Sequence, residues 1–216
     1  MREYAMGIDV GGTRIKLGLF DGGMQLLAEQ SFLTDKDATA VELMDFLAQK
    51  AVSLTEQVGL RLEDVRGVGA AFPSSIDIKR GVTLESSNIV ALNDQPVREL
   101  LEQRLKLPVF VDNDGNVAAL AEHRYGAGRG YEHMIYATLA TGIGGGLIIN
   151  GQLFRGMHGM AGEIGHMFVS DSTGYPCACG VIGCVHSISS GMFMARYAMD
   201  RIKEGAESRI LDYAGT

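Results

Sequence analysis

The stretch Ile8-Asp9-Val10-Gly11-Gly12-Thr13-Arg14-Ile15-Lys16 decides how the chain is read. It joins two apolar runs, Tyr4 to Asp9 and Ile15 to Phe20, through Gly11-Gly12-Thr13, and a second short turn, Asp21-Gly22-Gly23, leads into a third run from Met24 to Phe32. Such runs separated by two or three turn residues predict strands joined as hairpins, so three antiparallel strands open the chain. The first turn also suits phosphate, which needs backbone N–H groups that no side chain screens, and Gly11 and Gly12 supply them. Thr13 adds a hydroxyl and Lys16 a positive charge. Asp9, at a strand end, suits a magnesium ion held through water, because Mg²⁺ keeps part of its hydration shell. The turn is not a Walker A loop, which needs a strand-to-helix junction and a Gly-Lys-Ser/Thr ending. The same residues also suit a plain tight hairpin.

Outward from this stretch, apolar residues at three- and four-residue spacing (Leu43, Phe46, Leu47, Ala51, Leu54, Val58) predict a helix over 38–58. Val65 to Phe72 reads as a buried strand ending at Pro73, followed by an irregular stretch from Ser74 to Asn93. A short helix starts at Pro96 with Val97, Leu100, Leu101 and Leu105 on one face. A strand over 108–111 and a helix over 114–125 follow. Gly126–Gly130 is a glycine-rich break between lobes, and strands over 134–139 and 146–149 flank a glycine run. Residues 150–186 read as loop, and a last helix spans 189–203. A three-strand-plus-helix unit could occur twice. The alternation predicts an α/β lobe with a mixed sheet. The division expected is a first lobe over 1–115 and a partial second lobe over 116–216.

Composition narrows the function. Nineteen Lys and Arg against 26 Asp and Glu give a formal charge of −7, with no basic stripe to grip a phosphodiester backbone. No apolar run approaches the ~20 residues of a membrane span, and the N-terminus lacks the apolar core and cleavage site of a signal peptide. The expectation is a cytoplasmic enzyme that meets small ligands, with neither nucleic acid nor membrane as partner. Three Cys, an odd number within eight residues, suit a metal site in a reducing compartment better than a disulfide framework.

Three further patterns carry chemistry. Ala137 to Gly146, containing Thr141, Gly142 and Gly144, repeats the small-residue and exposed-amide character of the first turn, and two such loops could clamp a polyphosphate. His166, Cys177, Cys179 and Cys184 follow the spacing H-x10-C-x-C-x4-C. One imidazole and three thiolates form the closed tetrahedral set of structural zinc, leaving no open position for catalysis. In Val111-Asp112-Asn113-Asp114-Gly115-Asn116, a carboxylate between strand and helix could accept a proton from an attacking hydroxyl, and the neighbouring amide could hold sugar hydroxyls. The same residues also serve as a helix cap. In Gly162-Glu163-Ile164-Gly165-His166, Glu163 could bind sugar hydroxyls, and His166 could bind zinc while its other nitrogen faces the sugar.

These motifs, DVGGTRIK, DNDGNVAALAE, LATGIGGGLIINGQLFRG, GEIGH and CACGVIGC, stand in the order found in the ROK family of repressors, open reading frames and sugar kinases, which the chain resembles from Met6 to about Ser190. The resemblance implies an α/β fold of the actin-like, ribonuclease-H-like type, with two lobes and ATP between them. It implies a hexose or N-acylhexosamine kinase with Asp114 as base. Asn113, Asp114, Glu163, His166, His186 and, more weakly, Asn88 would contact sugar. His166, Cys177, Cys179 and Cys184 would hold zinc, and the assembly would be a homodimer or homotetramer. A non-catalytic, zinc-stabilised remnant or sugar sensor is the alternative. Three departures stand out. His186 occupies a position where the family has a sugar-binding Glu, Pro73-Ser74 replaces Pro-Gly, and no adenosine-binding glycine segment or closing helix follows Ser189, so the fold is expected to be incomplete at its C-terminus.

Overall fold

The computed structural model describes residues 3–86, 88–170 and 172–214. The opening hairpins form as read: β1 (Tyr4–Val10), β2 (Arg14–Phe20) and β3 (Leu26–Leu33) are antiparallel neighbours. Helix α1 (Ala40–Gln57) starts two residues later than the periodicity suggested, because Thr39 and Glu42 form a reciprocal capping box. Strand β4 (Val65–Phe72) then pairs parallel to β1.

The stretch expected to be irregular holds a small hairpin, β5 (Ser75–Asp77) and β6 (Val82–Glu85). Strands this short carry too little alternation to be seen in sequence. Helix α2 (Val97–Leu105) follows, and β7 (Val109–Asn113) pairs parallel to β4, which completes a mixed five-stranded sheet of order β3-β2-β1-β4-β7. Alternate residues of β1, β2 and β4, from Met6, Ile8 and Ile15 to Leu17, Val68 and Phe72, face a dry core. Leu43, Met44, Leu47 and Leu54 of α1 and Val97, Leu101 and Leu105 of α2 close it from one side. Each such side chain contributes about 1.5–3 kcal/mol by leaving water.

Helix α3 (Asp114–Tyr125) starts where β7 ends and packs on a second sheet, built from β8 (Met134–Leu139), β9 (Ile143–Ile149) and β10 (Gln152–Phe154) in the order β10-β9-β8. Two expectations change here. The glycine run lies inside strand β9, and β10 occupies residues read as loop. Glycine signals turns locally, but at this place it answers a tertiary demand. A Cβ on Gly146 would lie 2.6 Å from the Cβ of Ala119 and 2.9 Å from the Gly115 carbonyl oxygen, and one on Gly145 would lie 2.5 Å from the Tyr136 carbonyl oxygen. Gly146 lets helix and sheet approach backbone to backbone, and Gly145 leaves room for the neighbouring strand and the Gly162 loop. The second sheet is a three-strand meander like the β1–β3 part of the first, but no helix comparable to α1 follows it directly among the described residues. A long loop leads instead to α4 (Val185–Ser189), α5 (Gly191–Lys203) and α6 (Ile210–Ala214). No helix among the described residues is long and apolar enough to cross a membrane.

The close packing of α3 on β9 generates a test. Gly146→Ala overfills a contact made of backbone and a short side chain, neither of which can swing away, and is expected to destabilise the fold by about 2–3 kcal/mol in urea denaturation. A loss below about 0.5 kcal/mol would show that the helix can retreat freely.

Candidate functional site

The junction of β7 and α3 is the most tightly bonded part of the site. Asn113 caps α3, its Oδ1 accepting the Asn116 N–H at 3.2 Å, while its Nδ2 donates to the Ser74 carbonyl at 3.3 Å. Asp112, just before it, is 8% exposed. Its Oδ1 accepts from the Asn113 N–H at 2.9 Å and from Asn116 Nδ2 at 3.1 Å, and its Oδ2 accepts from Arg155 Nε at 2.8 Å and Nη2 at 2.6 Å. A buried carboxylate needs this degree of satisfaction to stay in place. The next residue, Asp114, accepts the Gly115 N–H at 2.8 Å and stands at the N-terminus of α3.

Two cavities meet around this junction. One, of about 360 Å³, is walled by Asn88, Asn113, Glu163, His166 and His186, with Thr141 and Gly142 of the β8–β9 turn at its edge. The other, of about 530 Å³, is walled by Asp9, Lys16 and Asp114 together with apolar residues of β1, β2 and α3. The residues singled out as sugar contacts therefore come together, except that Asp114 belongs to the neighbouring cavity. Among those singled out for nucleotide, Asp9 and Lys16 face Asp114's cavity, and Thr141 and Gly142 face the other. Gly11, Gly12, Thr13 and Gly144 line neither. The first glycine turn is tight, with the Gly11 N–H donating to the Arg14 carbonyl at 2.9 Å. Gly12 packs on Asn88, whose Cβ would lie 3.0 Å from a Cβ placed there.

Three acids line the two cavities, Asp9 and Asp114 in one and Glu163 in the other. Asp9 is raised above the usual carboxylate range by burial, with Lys16, its cross-strand partner, pulling the other way. Asp114 is raised, first by burial and then by the charge of Asp9, against the stabilising Gly115 N–H. Glu163 is raised by burial and by Asp114, against the lowering effect of His166. Asp9 and Asp114 are open to solvent through the cleft, yet protein surrounds their other sides, and that partial desolvation penalises the charged form. Raised carboxyl groups lined up in a cleft are suited to exchanging protons with a bound ligand.

The ligand atoms of His166, Cys177, Cys179 and Cys184 all lie within 4.8 Å of one another. Cys177 and Cys179 sit on a turn closed by the Gly180 N–H and the Cys177 carbonyl at 3.0 Å, and Cys184 caps α4. Gly183 (φ +90°) permits the return of the chain, because a Cβ there would strike the Ser170 carbonyl. His166 Nδ1 stands 3.8 Å from Cys177 Sγ. Burial, followed by the neighbouring thiols Cys179 and Cys184, pushes Cys177 up to about 11 against the pull of the Cys179 N–H. Burial also opposes ionisation of Cys184, but Ser187, His166 and Cys177 outweigh it and bring the thiol down to about 6. Donor type, number and spacing fit a single tetrahedral cation, with one thiolate already favoured near neutral pH.

Sequence reasoning missed the groups that hold this arrangement together. Arg155 reaches Asp112 across 43 positions, and a lone Arg after an apolar strand gives no local signal of that pairing. The Arg155 carbonyl also accepts the Ala161 N–H at 3.0 Å, which fixes the loop leading to Glu163. Tyr175 anchors the cysteine loop on α5: its hydroxyl donates to Asp200 Oδ2 at 2.8 Å, its ring stacks 5.6 Å from Phe193, and Arg196 lies 4.4 Å above it.

Comparison with known proteins agrees with this geometry. The model of the ROK family matches residues 5–215. The chain is 37% identical to a glucokinase of Halalkalibacterium halodurans over 98% of its length, and 35% identical to an N-acetylgalactosamine kinase of a Shewanella species over 94%. Among solved structures, a ROK family glucokinase from Streptomyces griseus, in complex with glucose and AMPPNP, superposes with a TM-score of 0.80 at 37% identity over 94% of this chain. The chain spans 64%, 66% and 62% of the length of these three proteins. The architecture is the actin-like, ribonuclease-H-like one, and it is present in part. With a family match over residues 5–215 and the same fold as a ROK family glucokinase at 37% identity, the chain belongs to the ROK family.

Proposed function

We propose that this chain is the sugar-binding and phosphate-facing part of a hexose or N-acylhexosamine kinase that moves the γ-phosphate of ATP onto a sugar hydroxyl. The observation that carries the reading is the placement of Asp114 in the wall of the cavity that holds Asp9 and Lys16, next in the chain to Asn113 in the wall of the polar cavity. In such a reaction the sugar occupies the polar cavity, where Glu163 accepts hydrogen bonds from its hydroxyls and Asn113, His166 and Asn88 orient it. The Asp114 carboxylate takes the proton of the attacking hydroxyl as the bond to phosphorus forms. Gly11, Gly12 and Thr13 from one sheet and Thr141, Gly142 and Gly144 from the other approach the phosphates, in keeping with a lobe boundary near residue 115. A magnesium ion near Asp9 would supply charge neutralisation for those phosphates. Zinc held by His166, Cys177, Cys179 and Cys184 would supply a rigid cross-link, and His166 in turn shapes the sugar wall. The same reading makes the protein cytoplasmic, with a small sugar as ligand and a homodimer or homotetramer as its assembly.

Release of ADP in a coupled assay, with a panel of hexoses and N-acylhexosamines, tests this on the chain and on the longest version of it available. Sugar-dependent turnover by either supports the kinase. Sugar binding without turnover in both would favour the sensor alternative. Asp114→Asn is expected to lower turnover by roughly 10²–10⁴-fold while leaving sugar affinity within a few fold. Because Asp114 is held above its ordinary value, the folded protein retains that proton better than the unfolded chain does. Stability is therefore lost as pH rises through the window above the ordinary carboxylate range, and Asn at this position should not lower the melting temperature at neutral pH. A variant with near-normal turnover would remove Asp114 from the role of base.

In wild-type protein the acid limb of kcat/KM should lie above the range of an ordinary Asp, because the base works only when ionised. Asp9→Asn should move that limb to lower pH by removing a neighbouring negative charge. A limb that does not move would break the link between the two acids.

For the metal, Cys179→Ser is expected to reduce zinc, measured by elemental analysis, from one per chain to well below that and to lower the melting temperature. Unchanged metal content would refute the ligand set.

A further inference from the structure

His186 enters the wall of the polar cavity from α4, and its ring is held on several sides. Nδ1 accepts the Ile143 N–H at 3.2 Å. The ring centroid lies 5.4 Å from that of His166 and 5.5 Å from that of Phe193, which meets it edge-on at 82°. A Cβ on Gly142 would lie 3.1 Å from Cε1. The imidazole therefore has one position and little freedom to turn.

That hydrogen bond fixes the chemistry of the ring. A nitrogen that accepts an N–H must present its lone pair, so Nδ1 carries no proton and the proton of the neutral ring sits on Nε2. Nε2 has no protein partner among the described residues, and it is not among the buried polar atoms left unpaired, so it is open to the cavity. His186 thus offers the cavity one donor and no acceptor. Glu163, on the same wall, offers acceptors when ionised. A carboxylate in place of His186 would reverse the first of these.

We infer that His186 sets substrate choice: it selects a sugar bearing an acceptor, a hydroxyl or acyl carbonyl oxygen, at the position that faces Nε2, and it disfavours a protonated amine there. The inference rests on the sugar-binding reading of this cavity. A hydroxyl satisfies either a donor or an acceptor, so common hexoses alone do not reveal the preference. Analogues that accept without donating do.

The test is binding calorimetry without nucleotide. The sugar bound most tightly by the metal-loaded protein is compared with its deoxy, deoxyfluoro and aminodeoxy analogues at each hydroxyl in turn. Fluorine accepts but cannot donate, hydrogen does neither, and the ammonium only donates. At one sugar position, wild-type protein should bind the deoxyfluoro analogue roughly 3- to 10-fold tighter than the deoxy analogue, the value of one neutral hydrogen bond. It should bind the aminodeoxy analogue more weakly than either. His186→Glu should invert the order at that position alone, and His186→Gln, which can donate and accept, should keep the deoxyfluoro preference. The wild-type series decides the matter even where a variant fails to fold. Equal loss for deoxy and deoxyfluoro analogues at every position, in a protein that binds the parent sugar, would overturn the inference and leave the kinase reading standing. Absence of binding to any sugar would overturn both.

Discussion

The structure depends on how closely α3 lies against β9. A helix normally keeps its distance from a sheet by the thickness of two side chains. Here Gly115 and Gly146 remove those side chains, and the backbones meet. The helix joins the two sheets, since it starts directly from β7 of the first and packs on β8 and β9 of the second. Its N-terminus therefore falls where the two units converge. Neighbouring residues there serve the two sides: Asn113 lines the polar cavity and Asp114 the cavity of Asp9 and Lys16. The Asp112–Arg155 pair secures the same junction from the second sheet's side, since Arg155 directly follows β10.

A consequence is that the acids of the cleft are stabilising neither to one another nor to the fold. Burial raises Asp9, Asp114 and Glu163, and the charge of Asp9 adds to the effect at Asp114 and that of Asp114 to the effect at Glu163. A fold selected for stability alone would separate or neutralise them. Their clustering around one cleft is the pattern expected where a protein gives up some stability for chemistry. The cysteine cluster offsets this in a loop that has little apolar core of its own, where a bound ion would do what buried side chains do elsewhere.

How much of this could be read from sequence follows from the range of the interactions. The hairpins of the first sheet, α1 and α3 carry their signals locally, in alternation, helical spacing and turn residues, and they appear within a residue or two of where those signals put them. The cysteine cluster is legible for the same reason, because Cys177, Cys179 and Cys184 are neighbours and only His166 comes from further away. The glycine run misled, because Gly144 to Gly146 look like a loop until Ala119 and Gly115 are brought against Gly146, and Tyr136 and Gly162 against Gly145. Arg155 was invisible because its partner lies 43 positions away. The division of the site into two cavities, with Asp114 in one and its expected sugar-binding neighbours in the other, is a property of the packing and has no signature in the chain. His186 stood out as a departure from a familiar pattern, but its bond to Ile143, and so its character as a donor, needed coordinates.

The most direct test of Asp114 as the meeting point of sugar and phosphate is a crystal structure with a hexose and a non-hydrolysable ATP analogue bound together. The expected result is a sugar against Glu163 and Asn113, with one hydroxyl within hydrogen-bonding distance of the Asp114 carboxylate and the terminal phosphate on its far side. A sugar bound elsewhere, or one whose hydroxyls all lie beyond the reach of Asp114, would contradict it.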